Sequence, residues 1–335
     1  MLSLRRYTAA DRELWDSAVA AARNATFLFL RRYMDYHSDR FRDHSLIFCD
    51  GRGTPVALLP ANESVTAVGS HTERHLHSHQ GLTYGGFILS PRCRDAQIEE
   101  LFRLTVAHLR DNGFAALHYK QVPHIYHLLP SDNDAYWLWR LGATEEACCL
   151  SSTIDLHPLS VCPHVSGSRR NNANRLRRHG YTVCHDTPLH TFWPILTANL
   201  LASHGVAPVH TLEEMQRLQA ACPDNILCHT VADTAGQTVA GTVLFVTPQV
   251  VHAQYISASP EGKACGALDL LFLTLIEEYR QRQCHRYFDF GISNERGGTV
   301  LNASLLEQKE RFGATGTLHR SFLLRIYPPA RTAST

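Results

Sequence analysis

The chain has 335 residues, a length that favours two domains over a single core. Lys and Arg total 32 and Asp and Glu total 31, so the net charge is +1 with His neutral. This balance argues against a protein whose whole surface binds nucleic acid or a membrane, although it is compatible with a local basic patch.

The N-terminal sequence MLSLRRYTAADRELWDS becomes polar and acidic before an apolar stretch of signal-peptide length could form. No later run approaches the roughly 18 apolar residues of a membrane span. We therefore predict a cytoplasmic protein. The adjacent Cys148 and Cys149 suit neither a zinc ribbon nor a disulfide framework, and we expect reduced thiols.

In the first half, the helical segments ADRELWDSAVAAAR and FLFLRRYMDYH come first. SLIFCDGRGTPVALLPANES then predicts a strand, a turn and a strand, GLTYGGFILSP a further strand, RDAQIEELFRLTVAHLRDNG a helix and FAALHY a closing strand. His75, His77 and His79 alternate, so on a strand they would share one face and could bind a metal. The alternative is a polar strand or loop lining a cleft, and we predict no metal.

A connection rich in Pro, Ser and Gly follows, and a short helix after it contains five arginines, Arg169, Arg170, Arg175, Arg177 and Arg178. The second half then repeats the order of the first: two helical segments, the strand pair in NILCHTVADTAGQTVAGTVLFVT, the strand VVHAQYISASP, the helix GALDLLFLTLIEEYRQRQ and the strand YFDFG. Two tandem copies of one α/β (α+β) unit, residues 1–158 and 159–335, explain this repetition.

This order of elements resembles the GNAT acyltransferase fold, and the tandem arrangement resembles the Fem-like proteins related to aminoacyl-tRNA-dependent peptidyltransferases. The resemblance implies two tandem GNAT-like acyl-CoA N-acyltransferase domains with mixed, largely antiparallel sheets. The first half has no glycine-rich loop before its helix, in FILSPRCRDAQ, so we expect the N-terminal domain to bind the acceptor and the C-terminal domain to bind the donor and carry the catalytic residues.

The segment YISASPEGKACGALDLL resembles the GNAT loop that places a donor pyrophosphate on a helix N-terminus. The resemblance implies acetyl-CoA or another acyl-CoA as cosubstrate, bound by Ser257, Gly262, Lys263, Gly266 and Ala267. Glu261 departs from the pattern, because a carboxylate beside a pyrophosphate is repulsive. A glycine-containing turn before an ordinary helix is the alternative.

Three residues are the predicted catalytic groups. Asp289 ends a buried strand, where a carboxylate can orient or deprotonate an ammonium group, or cap the next turn. LLEQKERFG resembles the F-K-x-x-F-G element of Fem-like proteins, which implies that Lys309 faces the reaction cleft and stabilises an oxyanion or holds a phosphate. Gln308 stands where the family commonly has an aromatic residue. Tyr255 is the third group, as the acid for the leaving group.

Alternation along VVHAQYISASP places Val251, Ala253, Tyr255 and Ser257 on one face and His252, Gln254 and Ile256 on the other. His252 is a further candidate for the base, ranked below Tyr255 as a catalytic residue. Core packing or a hydrogen-bonded side chain is the alternative interpretation for both.

Polar groups in the first half could bind a sugar or peptide acceptor, and they are His79, Gln80, Tyr84, Lys120 and Tyr126. In the arginine-rich helix, Arg175 and Arg178 are the predicted substrate-binding residues. That helix can contact tRNA phosphates, hold the diphosphate of a nucleotide- or lipid-linked acceptor, or form a solvated face. No aromatic residue is interleaved with the arginines, which weakens the tRNA interpretation.

We therefore expect an enzyme that moves an acyl group, most simply acetyl, from acyl-CoA to an amine on a small or cell-envelope precursor such as an amino sugar. One alternative is Fem-like aminoacyl transfer from aminoacyl-tRNA to a peptidoglycan precursor or other amine. A non-catalytic binding protein is another.

Overall fold

The computed structural model describes residues 1–158 and 164–326, which form two compact units. The first unit contains Met1–Cys149, Arg296–Thr299 and the segment that begins at Leu318, and the second contains Leu150–Glu295 and Val300–Thr317. Residues 159–163, part of the predicted connection, lie outside the described residues. The domain boundary at residue 158 and the division into acceptor and donor sides stay predictions.

The first unit combines two sheets with four α-helices. Its strands are β1 (Ser3–Arg6), β2 (Arg42–Asp43), β3 (Leu46–Cys49), β4 (Pro55–Leu59), β5 (Asn62–Val68), β6 (His71–His77), β7 (Ile88–Leu89) and β8 (Phe114–Lys120), with the start of β9 (Thr144–Asp155). Its helices are α1 (Arg12–Ala21), α2 (Arg31–Met34), α3 (Asp95–Asp111) and α4 (Asn133–Arg140). Short 3-10 turns occupy Ala9–Asp11, Phe27–Phe29, Asp35–His37, His124–Tyr126 and Arg296–Gly298.

Helix α3 shows how the first unit forms its core. The buried residues of α3 recur at helical spacing, as Ile98, Leu101, Phe102, Thr105 and Leu109. Leu117 and Tyr119 of β8 belong to the same apolar cluster as the buried leucines of this helix. The pattern RDAQIEELFRLTVAHLRDNG is therefore an amphipathic helix, as its sequence predicts.

One strand of the first unit differs from its prediction. GLTYGGFILSP contributes only β7, which pairs antiparallel with β4, whereas β6 is the strand that pairs parallel with β8. Only two of the three alternating histidines lie on β6. His79 follows the strand with a φ of 72° and contacts the rings of His37 and Phe41, so the expected single face of three imidazoles does not form.

The second unit contains the rest of β9 and strands that continue the same sheet. Its strands are β10 (Thr182–Cys184), β11 (Ile226–Ala232), β12 (Thr238–Val246), β13 (Val250–Ala258), β14 (Tyr287–Ile292), β15 (Asn294–Glu295), β16 (Val300–Leu301) and the start of β17 (Thr315–Arg325). Strands β10 to β14 continue the sheet in the order β10-β11-β12-β13-β14-β9, and β15 and β16 form a separate pair. Its helices are α5 (Gly167–Arg178), α6 (Leu189–His204), α7 (Leu212–Ala221), α8 (Pro260–Cys265), α9 (Ala267–Arg282) and α10 (Ala303–Glu310).

The parallel contact between β13 and β14 positions the candidate site. The other pairings along this sheet, from β10 through β13 and from β14 to β9, are antiparallel. Parallel pairing begins at Val250 opposite Tyr287 and ends at His252 opposite Asp289. Both strands continue beyond that point, so they separate there and leave polar side chains at the point of separation.

A β-bulge in β13 changes which side chains share a face. Val243 of β12 pairs with Tyr255 and Leu244 pairs with Ala253, so Gln254 has no opposite residue. Beyond the bulge, Ile256 joins Ala253 in the apolar cluster against α9. The expected strict alternation, with Ala253, Tyr255 and Ser257 on one face, is therefore wrong.

The opposite face of β13 carries the polar groups. Tyr255 contacts the ring of Trp193 in α6, and Ser257 donates to the carbonyl of Ile195. His252 lies between Val251 and Ala253, both of which pack against α9, so its side chain points the other way. The bulge therefore places Tyr255 on the face that carries His252. Among the helices of residues 1–158 and 164–326, none has the length and apolar character to span a membrane.

A buried histidine in β11 predicts how stability depends on pH. Neither ring nitrogen of His229 has a hydrogen-bond partner within the described residues, and burial lowers the pKa of His229 from 6.5 to about 4. Between these values the unfolded chain binds a proton that the folded chain does not, so stability falls as pH falls through this window.

We expect His229→Leu to raise the free energy of unfolding by about 1–3 kcal/mol, because it removes buried polar atoms without partners. The variant should also lose less stability than the parent between about pH 7 and about pH 5. Urea denaturation at both pH values measures this, with His190→Leu on the exposed side of α6 as control. An equal or larger loss in the variant would contradict this account.

Candidate active site

Asp289 and His252 form a hydrogen-bonded pair at the point where β13 and β14 separate. The Nδ1 of His252 lies 2.7 Å from Oδ2 of Asp289. Asp289 is fully buried, and the His252 side chain is 12% exposed. An imidazole whose Nδ1–H donates to a carboxylate has Nε2 available to accept a proton.

Two hydroxyl groups of β9 hold the other oxygen of the carboxylate. Ser151 Oγ donates to Oδ1 of Asp289 at 2.6 Å, and Thr153 Oγ1 donates to the same atom at 2.8 Å. Because the carboxylate is held from both strands beside it, its orientation toward His252 is fixed by the sheet. Asp289 thus holds the imidazole of His252 in one orientation.

Glycine at position 291 is required beside this pair. Gly291 has a φ of 77°, and a Cβ placed there would lie 3.3 Å from Cε1 of His252. A side chain at this position would strain the backbone and crowd the imidazole. Among the hydrogen bonds of the described residues, His252 Nε2 takes part in none, so this nitrogen is the basic atom that the pair presents.

Lys309 supports the end of β14 from α10. Its Nζ donates to the carbonyls of Gly291 and Ile292, both at 2.8 Å, and the side chain is buried. Burial lowers the pKa of Lys309 to about 8, and the nearby Asp289 carboxylate opposes this shift. Two of the three N–H donors of the ammonium group hold backbone carbonyls, so a direct role toward substrate rests on the third.

Tyr255 is paired with a residue that the sequence did not suggest. Its hydroxyl lies 2.6 Å from Nδ1 of His210, in the segment between α6 and α7. Burial raises the pKa of Tyr255 to about 12. At neutral pH the phenol therefore keeps its proton, which an acid for a leaving group requires.

The predicted donor residues lie at the junction from β13 to α9, where internal contacts account for each of them. A Cβ on Gly262 would lie 2.0 Å from the carbonyl oxygen of Val239, and one on Gly266 would lie 2.3 Å from Nδ2 of Asn172. Ser257 is buried against α6, Ala267 is buried in the core, and Lys263 contacts Asn199. Both glycines thus allow close packing within the protein.

The arginine-rich helix α5 meets this same junction. Arg175 donates to the carbonyl of Cys265 at 3.0 Å, and Asn172 donates to the carbonyls of Cys265 and Gly266. Arg169 pairs with Asp269 in the first turn of α9. Arg178 is exposed and donates only to the carbonyl of Asn174 among the contacts described. The structure therefore brings Arg175, but not Arg178, to the predicted donor loop.

The predicted acceptor residues form two groups within the first unit. Lys120 Nζ donates to the carbonyls of His79, Gln80 and Leu82, and burial lowers the pKa of Lys120 to about 8. The ring centroids of Tyr84 and Tyr126 lie 4.5 Å apart, and both side chains are buried.

The contacts of these residues are mainly internal. His79 is also buried, and Gln80 accepts a hydrogen bond from Asn62. Their role toward an acceptor stays a prediction. No group of three or more metal-binding side chains occurs among the described residues, and the expectation of no metal also stays a prediction.

Known proteins resemble this chain in sequence over part of its length and in fold over most of it. A family model described as an acetyltransferase (GNAT) domain matches residues 167–296, less than half of the chain. No curated protein matches. Similar solved structures include FemX, with a TM-score of 0.68 and 11% identity over 96% of this chain and 97% of that one.

Two further structures share the arrangement. L-PGS from Bacillus licheniformis has a TM-score of 0.58 and 13% identity over 97% of this chain and 94% of that one. A tandem GNAT protein from the clavulanic acid biosynthesis pathway has a TM-score of 0.52 and 15% identity over 98% of this chain and 99% of that one. At such identities the likeness shows the fold alone.

The chain has a Fem-like tandem GNAT fold. The predicted resemblance and the predicted fold class, with its mixed and largely antiparallel sheets, are thereby confirmed. The family match also confirms that the protein is an acyltransferase. It leaves the donor, the acyl group and the acceptor as proposals.

The side chains of this junction fit the phosphates of an acyl-CoA better than the amide of Gly262 does. The amide of Gly262 already donates to Ser259 Oγ, and Asp269 places a carboxylate at the start of α9. Arg175 and Lys263, both exposed, are the cations available there, while the exposed Glu261 opposes them.

Gly262→Ala distinguishes a packing role from a donor-binding role for this glycine. Because the new Cβ would overlap the Val239 carbonyl, we expect the free energy of unfolding to fall by about 1–3 kcal/mol. Gly167→Ala at the start of α5 is the matched control, since open space surrounds that position. Unchanged stability in Gly262→Ala, measured by thermal denaturation, would assign the glycine to ligand approach.

Proposed function

We propose that the protein transfers an acyl group from acyl-CoA to an amine, with His252 as the general base. The observation that carries this proposal is the buried Asp289 carboxylate, which holds the His252 imidazole where β13 and β14 separate. A GNAT acetyltransferase match that includes both residues supports the reaction class.

The reaction requires the amine as a free base. The acceptor ammonium group loses a proton to His252 Nε2, and Asp289 stabilises the imidazolium that forms. The neutral amine attacks the acyl carbonyl and its nitrogen gives up a second proton, while the bond to the leaving group breaks and the leaving group takes up a proton, so that the second proton lost by the amine balances the one gained by the leaving group. Tyr255 is the candidate donor of that proton, and the third N–H of Lys309 is the candidate partner of the oxyanion.

Acyl-CoA, when bound, supplies the thioester carbonyl, and acetyl-CoA is the simplest such donor. Arg175 and Lys263 are the side chains that would contact its phosphates. The acceptor is proposed as an amine of a small or envelope-precursor molecule such as an amino sugar, including nucleotide- or lipid-linked forms. This last element rests on the family resemblance, because no residue described specifies a sugar.

His252→Gln and Asp289→Asn test the base. In an assay of thiol release from acetyl-CoA with a panel of amines, each variant should lower kcat by roughly 10²- to 10⁴-fold with little change in KM for the donor. Excess amine at high pH should restore part of the rate in His252→Gln, because the free amine then needs no base. Full activity in either variant would refute the assignment, and loss of melting temperature would instead indicate a structural role.

Aminoacyl-tRNA is the second candidate donor. The exposed arginines of α5 and the Fem-like fold favour it, together with the occupied Gly262 amide in the first turn of α8. If it is the donor, RNA binding should weaken steeply with salt, and Arg175→Gln and Arg178→Gln should reduce both affinity and the salt dependence.

The two donors are distinguished by melting temperature. Acetyl-CoA and desulfo-CoA should both stabilise the protein if a CoA donor binds, and Arg175→Gln should weaken this effect while Arg177→Gln should not. Arg177 is the matched control because its guanidinium group contacts Thr274 in the middle of α9. No shift with either CoA, together with salt-sensitive RNA binding, would favour aminoacyl-tRNA. If the parent transfers an acyl group to no amine, and His252→Gln and Asp289→Asn change no measured property, the result would favour a binding protein.

A further inference from the structure

Four side chains of the first unit form a hydrogen-bonded series across its sheet, which we call the histidine network. Nε2 of His75 lies 3.0 Å from a carboxylate oxygen of Glu73, and both residues lie on β6. Nδ1 of His75 lies 2.9 Å from Nε2 of His118 on β8. Nδ1 of His118 lies 2.8 Å from a carboxylate oxygen of Glu146 on β9. The network therefore begins and ends at a carboxylate.

The three contacts of the histidine network need three protons, one for each hydrogen bond. Two neutral imidazoles supply one N–H each, and two ionised carboxylates supply none. Each end contact takes the N–H of its own imidazole, so no N–H remains for the contact between His75 and His118. One proton more than the neutral imidazoles carry therefore completes the network, whichever atoms hold the protons.

A second pair of histidines in the same unit gives the opposite count. Nδ1 of His44 lies 2.8 Å from Glu63, and Nε2 of His44 lies 2.9 Å from Nε2 of His108. Nδ1 of His108 lies 3.4 Å from the side-chain amide nitrogen of Asn112. Because this amide donates, two neutral imidazoles complete all the contacts. The extra proton is thus a property of the network with a carboxylate at each end.

His77 of β6 also faces the histidine network. Its ring stacks on that of His118 with the centroids 4.2 Å apart, and its Nε2 lies 2.8 Å from Ser64 Oγ on β5. Burial lowers the pKa of His77 to about 4, so this imidazole is neutral at pH 7. It therefore does not carry the extra proton.

Charged and titratable groups on β17, β6 and β8 face the two carboxylates. Nη1 of Arg325 lies 3.0 Å from Glu73, and Nε2 of His71 lies 3.3 Å from the same carboxylate. The ammonium group of Lys120 interacts with Glu146. Among the hydrogen bonds of the described residues, none joins these groups to the two facing imidazole nitrogens. The extra proton therefore belongs within the network.

The histidine network lies where β6 and β8 lead into predicted acceptor residues. The N–H of Ser78 donates to the carbonyl of His118 at 2.8 Å. Lys120, at the end of β8, donates to the carbonyls of His79 and Gln80. Loss of the proton would thus weaken the strand pair at the point where this segment begins.

We propose that the histidine network holds one shared proton that joins β6 to β8 and makes the stability of the first unit depend on pH. Above about pH 6.5, histidines of an unfolded chain are mainly neutral, so unfolding releases this proton and stability falls as the pH rises. At acid pH both unfolded histidines bind a proton, whereas the folded network accommodates one extra proton, so stability falls there too. This inference is independent of the proposed acyl transfer.

Glu73→Gln and Glu146→Gln test the proton count while keeping the hydrogen bonds. The new amide can donate to the imidazole beside it, so two neutral imidazoles then complete the network, as they do beside Asn112. Nitrogen–proton NMR spectra of the histidine rings at about pH 7.5 measure the count. Of the four ring nitrogens of His75 and His118, three should be protonated in the parent and two in each variant.

Urea denaturation of the full chain gives a second readout. Between about pH 7 and about pH 8, the unfolding constant of the parent should rise up to about tenfold per pH unit more steeply than that of Glu73→Gln. Glu73→Gln is the variant for this measurement because Glu146 also acts on Lys120. Glu145→Gln is the matched control, since it removes the same charge from a residue that pairs with Arg320 outside the network. It should keep the slope of the parent.

Two protonated ring nitrogens in the parent, or equal slopes in the parent and Glu73→Gln, would overturn the inference. A melting temperature of the parent that rises with Zn²⁺ and falls with EDTA would also overturn it, because a metal ion would then join the two nitrogens in place of the proton. These outcomes leave the proposed acyl transfer standing, and a failure of acyl transfer leaves this inference standing.

Discussion

The burial of one carboxylate organises the candidate active site. Asp289 is fully buried, and a charge taken out of water is stable only with several polar partners. Ser151 and Thr153 of β9 and His252 of β13 supply them. Because β13 and β14 stop pairing at this residue, the sheet provides both the space for the imidazole and the groups that orient it.

Two local departures from regular backbone complete the arrangement. The bulge at Gln254 turns Tyr255 onto the face of His252, and the positive φ of Gly291 keeps a side chain away from the imidazole. Lys309 then joins α10 to the end of β14 through two carbonyls. Departures of this kind are common next to active sites because they aim side chains that a regular strand would direct elsewhere.

The sequence predicted the architecture better than the site. Repetition of element order and the periodicity of helices such as α3 depend on local patterns, which a single sequence displays. The strand end at Asp289 is equally local. Its partners are not, since Ser151 lies 138 positions away along the chain and no spacing links the two.

The same limit explains why the face assignment of Tyr255 was wrong. The residue pattern of VVHAQYISASP does not predict the bulge, because the bulge arises from the pairing of this strand with β12. At the expected donor loop, the Val239 carbonyl lies close to Gly262 and Asn172 lies close to Gly266, so internal packing accounts for both glycines and their role toward a donor stays a prediction. A glycine in a sequence can indicate that another group comes close to the backbone, but it does not identify that group.

The most direct test of the central claim is a double-mutant cycle of His252→Gln and Asp289→Asn, read as kcat for acyl transfer. If Asp289 acts through His252, the double variant should be no slower than His252→Gln alone, because the carboxylate then has no imidazole to position. Additive losses in the double variant would show that the two residues act independently and would contradict this account.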